Sequence, residues 1–148
     1  MKWLIPPRLL IGLSILMVLA DWLAPLRDLI YMPWALLIGG ALMVAGICMG
    51  VVVFLRFRRV DTEINTFGTP RVLQTDGMFA HTRNPIYLGM LTFLVGLAIL
   101  LGSASVWFGP LAFFLVANSW YVPHEEEKAA EAFGDLYQEY KKKVRRWV

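Results

Sequence analysis

Residues 33–55 form an apolar segment without a single charged side chain. A helix needs about 20 such residues to cross roughly 30 Å of hydrocarbon. Only 17% of the 148 residues are charged, which is too few to cover so large an apolar surface in water. Because a helix satisfies its backbone hydrogen bonds internally, we predict an all-α integral membrane protein with one domain, residues 1–148.

Three further segments approach the length of a membrane span. Residues 104–122 are uncharged, residues 86–102 are shorter but almost entirely apolar, and residues 9–26 include one acidic residue, Asp21. A cleaved signal peptide is the alternative for the first segment, but no convincing small-residue cleavage site follows it, so we expect a retained span. The sequence thus predicts four transmembrane helices.

The Lys and Arg residues are distributed unevenly among the connecting segments. All but one of the 14 precede the first span, lie between the second and third spans, or follow the fourth. By the positive-inside rule, both termini are expected in the cytoplasm, with the protein in the plasma or inner membrane if its source is a prokaryote. Since the basic residues flank apolar segments, we expect the lipid bilayer as partner and no nucleic acid.

Glycines recur along the second and third spans. Gly46 and Gly50 form a small-xxx-small pair, Gly39 lies one heptad earlier, and the third span carries Gly89 and Gly96. Such residues allow helix backbones to approach closely. We expect them at helix contacts, within the chain or between copies, so the oligomeric state stays open.

Two cytoplasmic segments remain for chemistry. Residues 56–85 contain turn-forming residues throughout, together with apolar residues that can pack, which predicts an ordered functional loop. After the fourth span, Pro123 suits the first turn of a helix, and Glu125, Glu126 and Glu127 follow near the positive end of the helix dipole.

The residues after Pro123 have helical periodicity. Apolar and aromatic side chains recur there at steps of three and four, on the face that also carries Glu126, namely Ala130, Phe133, Tyr137, Tyr140 and Val144. This predicts a C-terminal amphipathic helix, in which Gly134 marks a break or a close backbone approach. Taken alone, the helix would also suit a membrane surface.

Polar motifs stand at the cytoplasmic ends of the third and fourth spans. Arg83, Asn84 and Tyr87 lie where the loop enters the third span, and Glu125 and Glu126 return to the same side one helix later. Paired carboxylates at a membrane interface are costly unless a cation lies near them. The four-helix topology can therefore bring the two motifs together.

The full pattern is Leu73-x-Thr75-Asp76-Gly77-x-Phe79-x-x-x-Arg83-Asn84-Pro85-x-Tyr87-x-Gly89, then Glu125-Glu126, then Phe133-Gly134-x-x-Tyr137-x-x-Tyr140-x-x-x-Val144-x-Arg146. It resembles membrane methyltransferases related to isoprenylcysteine carboxyl methyltransferase and phospholipid N-methyltransferases. The resemblance runs from about Asp61 to the C-terminus, and the first two spans match only as hydrophobic helices. The eukaryotic prenylcysteine enzymes have His in place of Asn84 and Tyr in place of Phe79. Because an amide does not titrate near neutral pH, we expect Asn84 to position groups and not to accept a proton.

The resemblance implies S-adenosylmethionine as cofactor, S-adenosylhomocysteine as product, and no metal. It places the cofactor elements at residues 61–89 and 123–146. The implied cofactor-binding residues are Arg71, Val72, Leu73, Gln74, Phe79, Asn84, Pro85, Ile86, Tyr87 and Glu125. The candidate catalytic residues are Arg83, Asn84, Tyr87, Glu125 and Glu126. The chain has no Gly-x-Gly-x-x-Gly motif between a strand and a helix, in agreement with a cofactor site outside a Rossmann fold.

The residue types suit the groups of that cofactor. Glu125 or Glu126 can bind the ammonium or the ribose hydroxyls, and an arginine, Arg83 or Arg71, can bind the carboxylate. Aromatic side chains, among them Phe79 and Tyr87, can stack on adenine or face the sulfonium. Methyl transfer demands alignment and exclusion of water more than acid–base chemistry.

We therefore predict a membrane-embedded S-adenosylmethionine-dependent methyltransferase. Its acceptor is lipophilic or small and offers a carboxylate, an amine or a thiol, and the sequence does not choose among them. A non-catalytic membrane scaffold would leave the Arg-Asn-Pro-x-Tyr and Glu-Glu motifs without a role. A small transporter would require polar residues at mid-membrane, which are scarce here.

Overall fold

The computed structural model describes residues 5–24, 26, 32–59 and 72–148, and the regular elements in these ranges are helices. This confirms the all-α prediction. Six α-helices follow in order: α1 (Pro6–Leu23), α2 (Met32–Arg59), α3 (Pro85–Leu101), α4 (Phe108–Val116), α5 (Val122–Phe133) and α6 (Asp135–Lys143). Short 3₁₀ turns at Gly77–Ala80 and Ala104–Trp107 precede α3 and α4, and a π-helical turn at Ala117–Tyr121 joins α4 to α5.

Three helical segments within the described residues are long and apolar enough to cross a membrane: Pro6–Leu23, Pro33–Arg58 and Ala104–Phe133. The fourth apolar helix, α3, has 17 residues and is shorter than these. Large apolar side chains on the outer faces of α1 and α2, such as Ile11, Trp34 and Val44, are exposed. The described residues thus contain three segments able to span a membrane and one shorter apolar helix, which agrees with an integral membrane protein but does not confirm the predicted count of four spans.

Glycines bring α2 and α3 into backbone contact. A Cβ atom on Gly39 would lie 2.7 Å from the carbonyl oxygen of Gly96, and one on Gly46 would lie 2.5 Å from that of Gly89. The expected close packing is therefore confirmed at these four positions. Gly50 differs, because a Cβ atom there would meet open space.

The last spanning segment continues beyond the predicted span. Pro123 does lie in the first turn of α5, but α5 is continuous with α4 through the π-helical turn and is not a separate helix. Proline lacks a backbone N–H and its ring crowds the preceding turn, and a π turn relieves such a conflict locally. Consequently Glu125 and Glu126 project from the same helical segment, Ala104–Phe133, that is long and apolar enough to cross a membrane.

The C-terminal helix breaks where the sequence suggested. Gly134 separates α5 from α6 and has a φ of +52°, a conformation that residues with a Cβ rarely adopt. No atom lies within 4 Å of a Cβ built on it, so the glycine serves the break and not a close backbone approach. Beyond it, Tyr137, Tyr140 and Val144 are buried together on the predicted apolar-aromatic face.

Candidate functional site

A cavity of about 420 Å³ lies where the start of α3 meets α5 and α6. This volume falls within the range of small-molecule sites, about 300–1,000 Å³. The cavity is lined by all the predicted site residues that the structure describes: Val72, Leu73, Gln74, Phe79, Arg83, Asn84, Pro85, Ile86, Tyr87, Glu125 and Glu126. Arg71 lies outside the described residues. The structure thus brings the two sequence motifs together, and their roles toward a cofactor stay predictions.

Tyr87 connects α3 to α5 across the cavity. Its hydroxyl donates a hydrogen bond of 2.7 Å to Oε1 of Glu125. Its ring stacks on that of Tyr121, with centroids 5.8 Å apart and planes 6° from parallel. Tyr87 is only 4% exposed, so its hydroxyl is largely removed from bulk water. The phenol therefore fixes the orientation of the Glu125 carboxylate at the cavity wall.

Glu126 forms ion pairs with two arginines. Nη2 of Arg83 lies 3.0 Å from Oε1 of Glu126, and Nη2 of Arg146 lies 2.7 Å from Oε2. Nε of Arg146 also donates to Oε1, at 3.1 Å. The side chains of Arg83 and Glu126 are each 10% exposed. Both carboxylate oxygens thus accept from cations, which suits an ion-pairing role better than proton transfer.

The donors of this ion-pair cluster are not all used. Two guanidinium groups share the Glu126 carboxylate, and a second carboxylate, Glu125, lines the same cavity. In addition, Nε and Nη1 of Arg83 are buried and have no hydrogen-bond partner among the residues that the structure describes. An unpaired buried donor costs about 1–3 kcal/mol, and such atoms in a native structure call for a ligand, a water or an ion.

Asn84 holds a buried position at the start of α3. It is the N-cap residue, yet its side chain makes no capping hydrogen bond. Instead, Nδ2 donates to the carbonyl oxygen of Arg146 at 2.9 Å. Its backbone N–H donates to Oγ1 of Thr82 at 3.2 Å. These bonds agree with a positioning role for Asn84.

Two tyrosines of α6 close the other side of the cavity. The hydroxyl of Tyr140 donates to the backbone carbonyl of Phe79 at 2.6 Å, which ties the loop before α3 to α6. Burial raises the pKa of both Tyr137 and Tyr140 to about 12, so both are neutral phenols at physiological pH. Phe79 itself packs against Phe57 of α2, with ring centroids 5.7 Å apart.

The loop before α3 is also attached to the end of α2. Nε of Arg56 donates to Oε1 of Gln74 at 2.9 Å, and the same guanidinium pairs with Asp76. Gln74 therefore contributes to the cavity wall from a fixed position. Within the described residues, no group of three His, Cys, Asp or Glu side chains is arranged to hold a metal ion.

The structure adds residues that the sequence patterns did not assign to the site. Arg146 is the last residue of the motif quoted in the sequence analysis, and its place there is what could have indicated a role at the site. Thr82, Asn118 and Trp147 carry no comparable signal. The remaining cavity lining comes from the start of α1, the second half of α2, the first half of α3, and from α5 and α6: Ile5, Pro6, Pro7, Gly50, Phe54, Phe57, Met90, Lys128, Ala129, Phe133, Tyr137 and Tyr140.

The fold and the site define a class of protein: a helical membrane protein with a partly polar cavity at the ends of its helices. Residues 34–136 match the family model described as phospholipid methyltransferase. The chain belongs to this family of membrane methyltransferases, which confirms the resemblance inferred from the motifs.

Two relatives are similar to parts of this chain. The chain is 40% identical over 63 residues to an uncharacterized protein of Haemophilus influenzae, which covers 43% of this chain and all of that protein. It is 36% identical over 76 residues to the protein-S-isoprenylcysteine O-methyltransferase of Schizosaccharomyces pombe, which covers 49% of this chain and 31% of that enzyme. No solved structure gives a significant match.

Proposed function

We propose that this protein is an S-adenosylmethionine-dependent methyltransferase of the membrane, with the cavity between α3 and α5 as its cofactor site. The observation that carries the proposal is the joint lining of this cavity by an oriented carboxylate, Glu125, an incompletely paired guanidinium, Arg83, and several aromatic rings. Membership of a methyltransferase family supports it independently.

These residues fit the charged groups of the cofactor. The Glu125 carboxylate suits the ammonium group or the ribose hydroxyls, and Tyr87 keeps it oriented. The two unpaired donors of the Arg83 guanidinium suit the carboxylate. The rings of Phe79, Tyr87 and Tyr137 offer stacking surfaces for adenine and π-faces for a sulfonium cation.

The bound cofactor would supply a methyl group already activated by its sulfonium. The protein then has to align donor and acceptor and exclude water. The stacked pair of Tyr87 and Tyr121 and the hydrogen bond from Tyr140 to Phe79 make rigid walls for this purpose. A carboxylate or thiolate acceptor needs no base, and an amine only has to arrive neutral. The occupied oxygens of Glu126 are compatible with such a reaction.

The acceptor is proposed to reach the cavity from the bilayer. Apolar residues at the start of α1 and near the end of α2, among them Ile5, Pro6 and Phe54, line one part of the cavity. Polar residues line the part near α5. A lipophilic acceptor can thus lie among the helices while the cofactor binds from the cytoplasm, where we also place both chain termini. Carboxylate, amine and thiol acceptors all remain open.

Transfer of a radiolabelled methyl group tests this proposal. Purified protein in detergent is incubated with labelled S-adenosylmethionine and one of three acceptor pools: a total membrane lipid extract, small thiols, or lipophilic carboxylic acids such as a prenylcysteine. We expect label in one of these fractions, and a loss of at least about tenfold in the Glu125→Ala variant. Glu127→Ala is the matched control, because Glu127 is an exposed carboxylate on the same helix. The proposal is contradicted if no fraction is labelled, or if both variants transfer methyl groups like the wild type.

A further inference from the structure

The segment that follows α6, residues 144–147, is bound to the turn before α3 through its backbone. The carbonyl oxygen of Arg145 accepts a hydrogen bond of 3.0 Å from the backbone N–H of Arg83. The carbonyl oxygen of Arg146 accepts from Oγ1 of Thr82 at 3.2 Å and from Nδ2 of Asn84 at 2.9 Å. Three consecutive residues, 82–84, of which Arg83 and Asn84 line the cavity, are thus held by this tail segment.

The side chains of the tail segment reach two other parts of the site. The guanidinium of Arg146 binds both oxygens of Glu126 on α5 and lies 3.4 Å from Oδ1 of Asn118 in the π-helical turn. Nε1 of Trp147 donates to the same Oδ1 at 3.0 Å. The Trp147 ring packs on Phe114 of α4, with centroids 5.2 Å apart. The tail segment therefore bridges the turn before α3, the π turn and α5.

From these contacts we infer that Arg146 is a positioning residue of the cavity, which fixes Glu126 and through it the guanidinium of Arg83. This inference rests on the proposed function, since its readout is the affinity for the cofactor product. Arg146 does not line the cavity itself. It acts through Glu126, whose two oxygens it occupies together with Arg83.

The physical reason is competition for one carboxylate. With Arg146 present, Oε2 of Glu126 is engaged by Arg146, and Arg83 reaches Oε1 with one nitrogen only. Without Arg146, Glu126 can turn both oxygens toward Arg83, and a bidentate pair of this kind is strong and geometrically specific. The Arg83 guanidinium would then be neutralised and displaced from the cavity wall. Affinity for an anionic group of the ligand should fall as a result.

The experiment compares S-adenosylhomocysteine binding, measured by isothermal titration calorimetry on detergent-purified protein, with the melting temperature of the same samples. Arg146→Gln is expected to raise the Kd by about tenfold, because the charge and the bidentate geometry are both lost. Arg146→Lys keeps the charge but not the fork of donors, so it should recover part of the affinity. Lys142→Gln is the matched control, since it removes one positive charge from an exposed position of α6.

A second ligand sharpens the readout. Decarboxylated S-adenosylhomocysteine lacks the anionic group, so Arg146→Gln should change its affinity less than that of the intact product. A role confined to folding would instead lower the melting temperature and leave the Kd of the folded protein unchanged for both ligands. The ratio of the two affinities thus separates positioning from structural support.

Each outcome decides one of the two claims. If the wild type does not bind S-adenosylhomocysteine, the proposed function fails. If the wild type binds and Arg146→Gln binds equally well, the positioning role is refuted while the proposed function stands. Should Arg146→Gln not fold, Arg146→Lys carries the test, with an expected loss of about threefold. Unchanged affinity in that variant refutes the role as well.

Discussion

Replacing Tyr87 by phenylalanine removes one oxygen atom from the centre of the site. The ring can keep its parallel stacking on Tyr121, so the contact between α3 and the π turn should persist. What is lost is the donor to Oε1 of Glu125, at 2.7 Å in the native protein. The substitution therefore tests the orientation of Glu125 without removing its carboxylate.

The expected magnitude follows from the charge and the burial. A hydrogen bond to a charged group contributes about 1.5–3 kcal/mol, and the Tyr87 side chain that makes it is only 4% exposed. If the oriented carboxylate binds the cofactor, the lower end of this range corresponds to an increase of about tenfold in the Kd for S-adenosylhomocysteine. We expect kcat/KM for S-adenosylmethionine to fall by a similar factor.

Calorimetric titration with S-adenosylhomocysteine measures the effect, and circular dichroism verifies that the helices are retained. Thr92→Val is the matched control. It also removes a hydroxyl from α3, but Thr92 bonds only the carbonyl of Leu88 in the described structure, and it is not among the cavity-lining residues. An unchanged Kd in Tyr87→Phe, or an equal loss in Thr92→Val, would refute the argument that Tyr87 orients a cofactor-binding carboxylate.

Three further predictions concern stability. Gly46→Ala should lower the free energy of unfolding by about 1–3 kcal/mol, because its Cβ atom would lie 2.5 Å from the Gly89 carbonyl oxygen. Gly12→Ala is the control, since a Cβ atom there meets open space and should not lower the melting temperature. Equal melting temperatures of the two variants would contradict the packing account. Gly134→Ala should cost about 1–3 kcal/mol by thermal melting, since φ is +52° there; an unchanged melting temperature argues against strain at the break. The raised pKa of Tyr137, about 12 because of burial, favours the neutral folded form, so this residue's contribution to stability is complete below pH 10 and is lost as the pH rises from 10 to 12. Melting curves of the wild type and of Tyr137→Phe across this range measure that loss. The account is contradicted if Tyr137 already ionises below pH 10, which would appear as phenolate absorbance that the wild type shows and Tyr137→Phe lacks.

The sequence was informative where the physical constraint is local in the chain. Charge-free segments predict membrane helices because hydrocarbon excludes unpaired polar groups. The meeting of Arg83 and Tyr87 with Glu125 and Glu126 follows from topology, since both motifs stand at the same end of neighbouring spans. The pair of Gly46 with Gly89 illustrates the same point, because closely packed helices require small residues.

Other features depend on partners that no residue pattern reveals. The tail segment binds the turn at 82–84 through the carbonyl oxygens of Arg145 and Arg146, and every residue type has a carbonyl oxygen. Gly46 and Gly50 belong to the same small-xxx-small pair, yet a Cβ atom on Gly50 would meet open space. The position of the partner helix decides this difference. Pro123 predicts the start of a new helix, and the π turn before it, which the sequence does not announce, allows the helix to continue instead.

The most direct test of the central claim is calorimetric titration of the detergent-purified wild-type protein with S-adenosylhomocysteine. A cavity that combines the oriented Glu125 carboxylate with the unpaired guanidinium donors of Arg83 should give saturable binding with a Kd below about 1 mM. Glu125→Ala should weaken this binding, and Glu127→Ala should not. Absence of heat at millimolar ligand, from protein whose helices are intact by circular dichroism, would contradict the assignment of the cavity as a cofactor site.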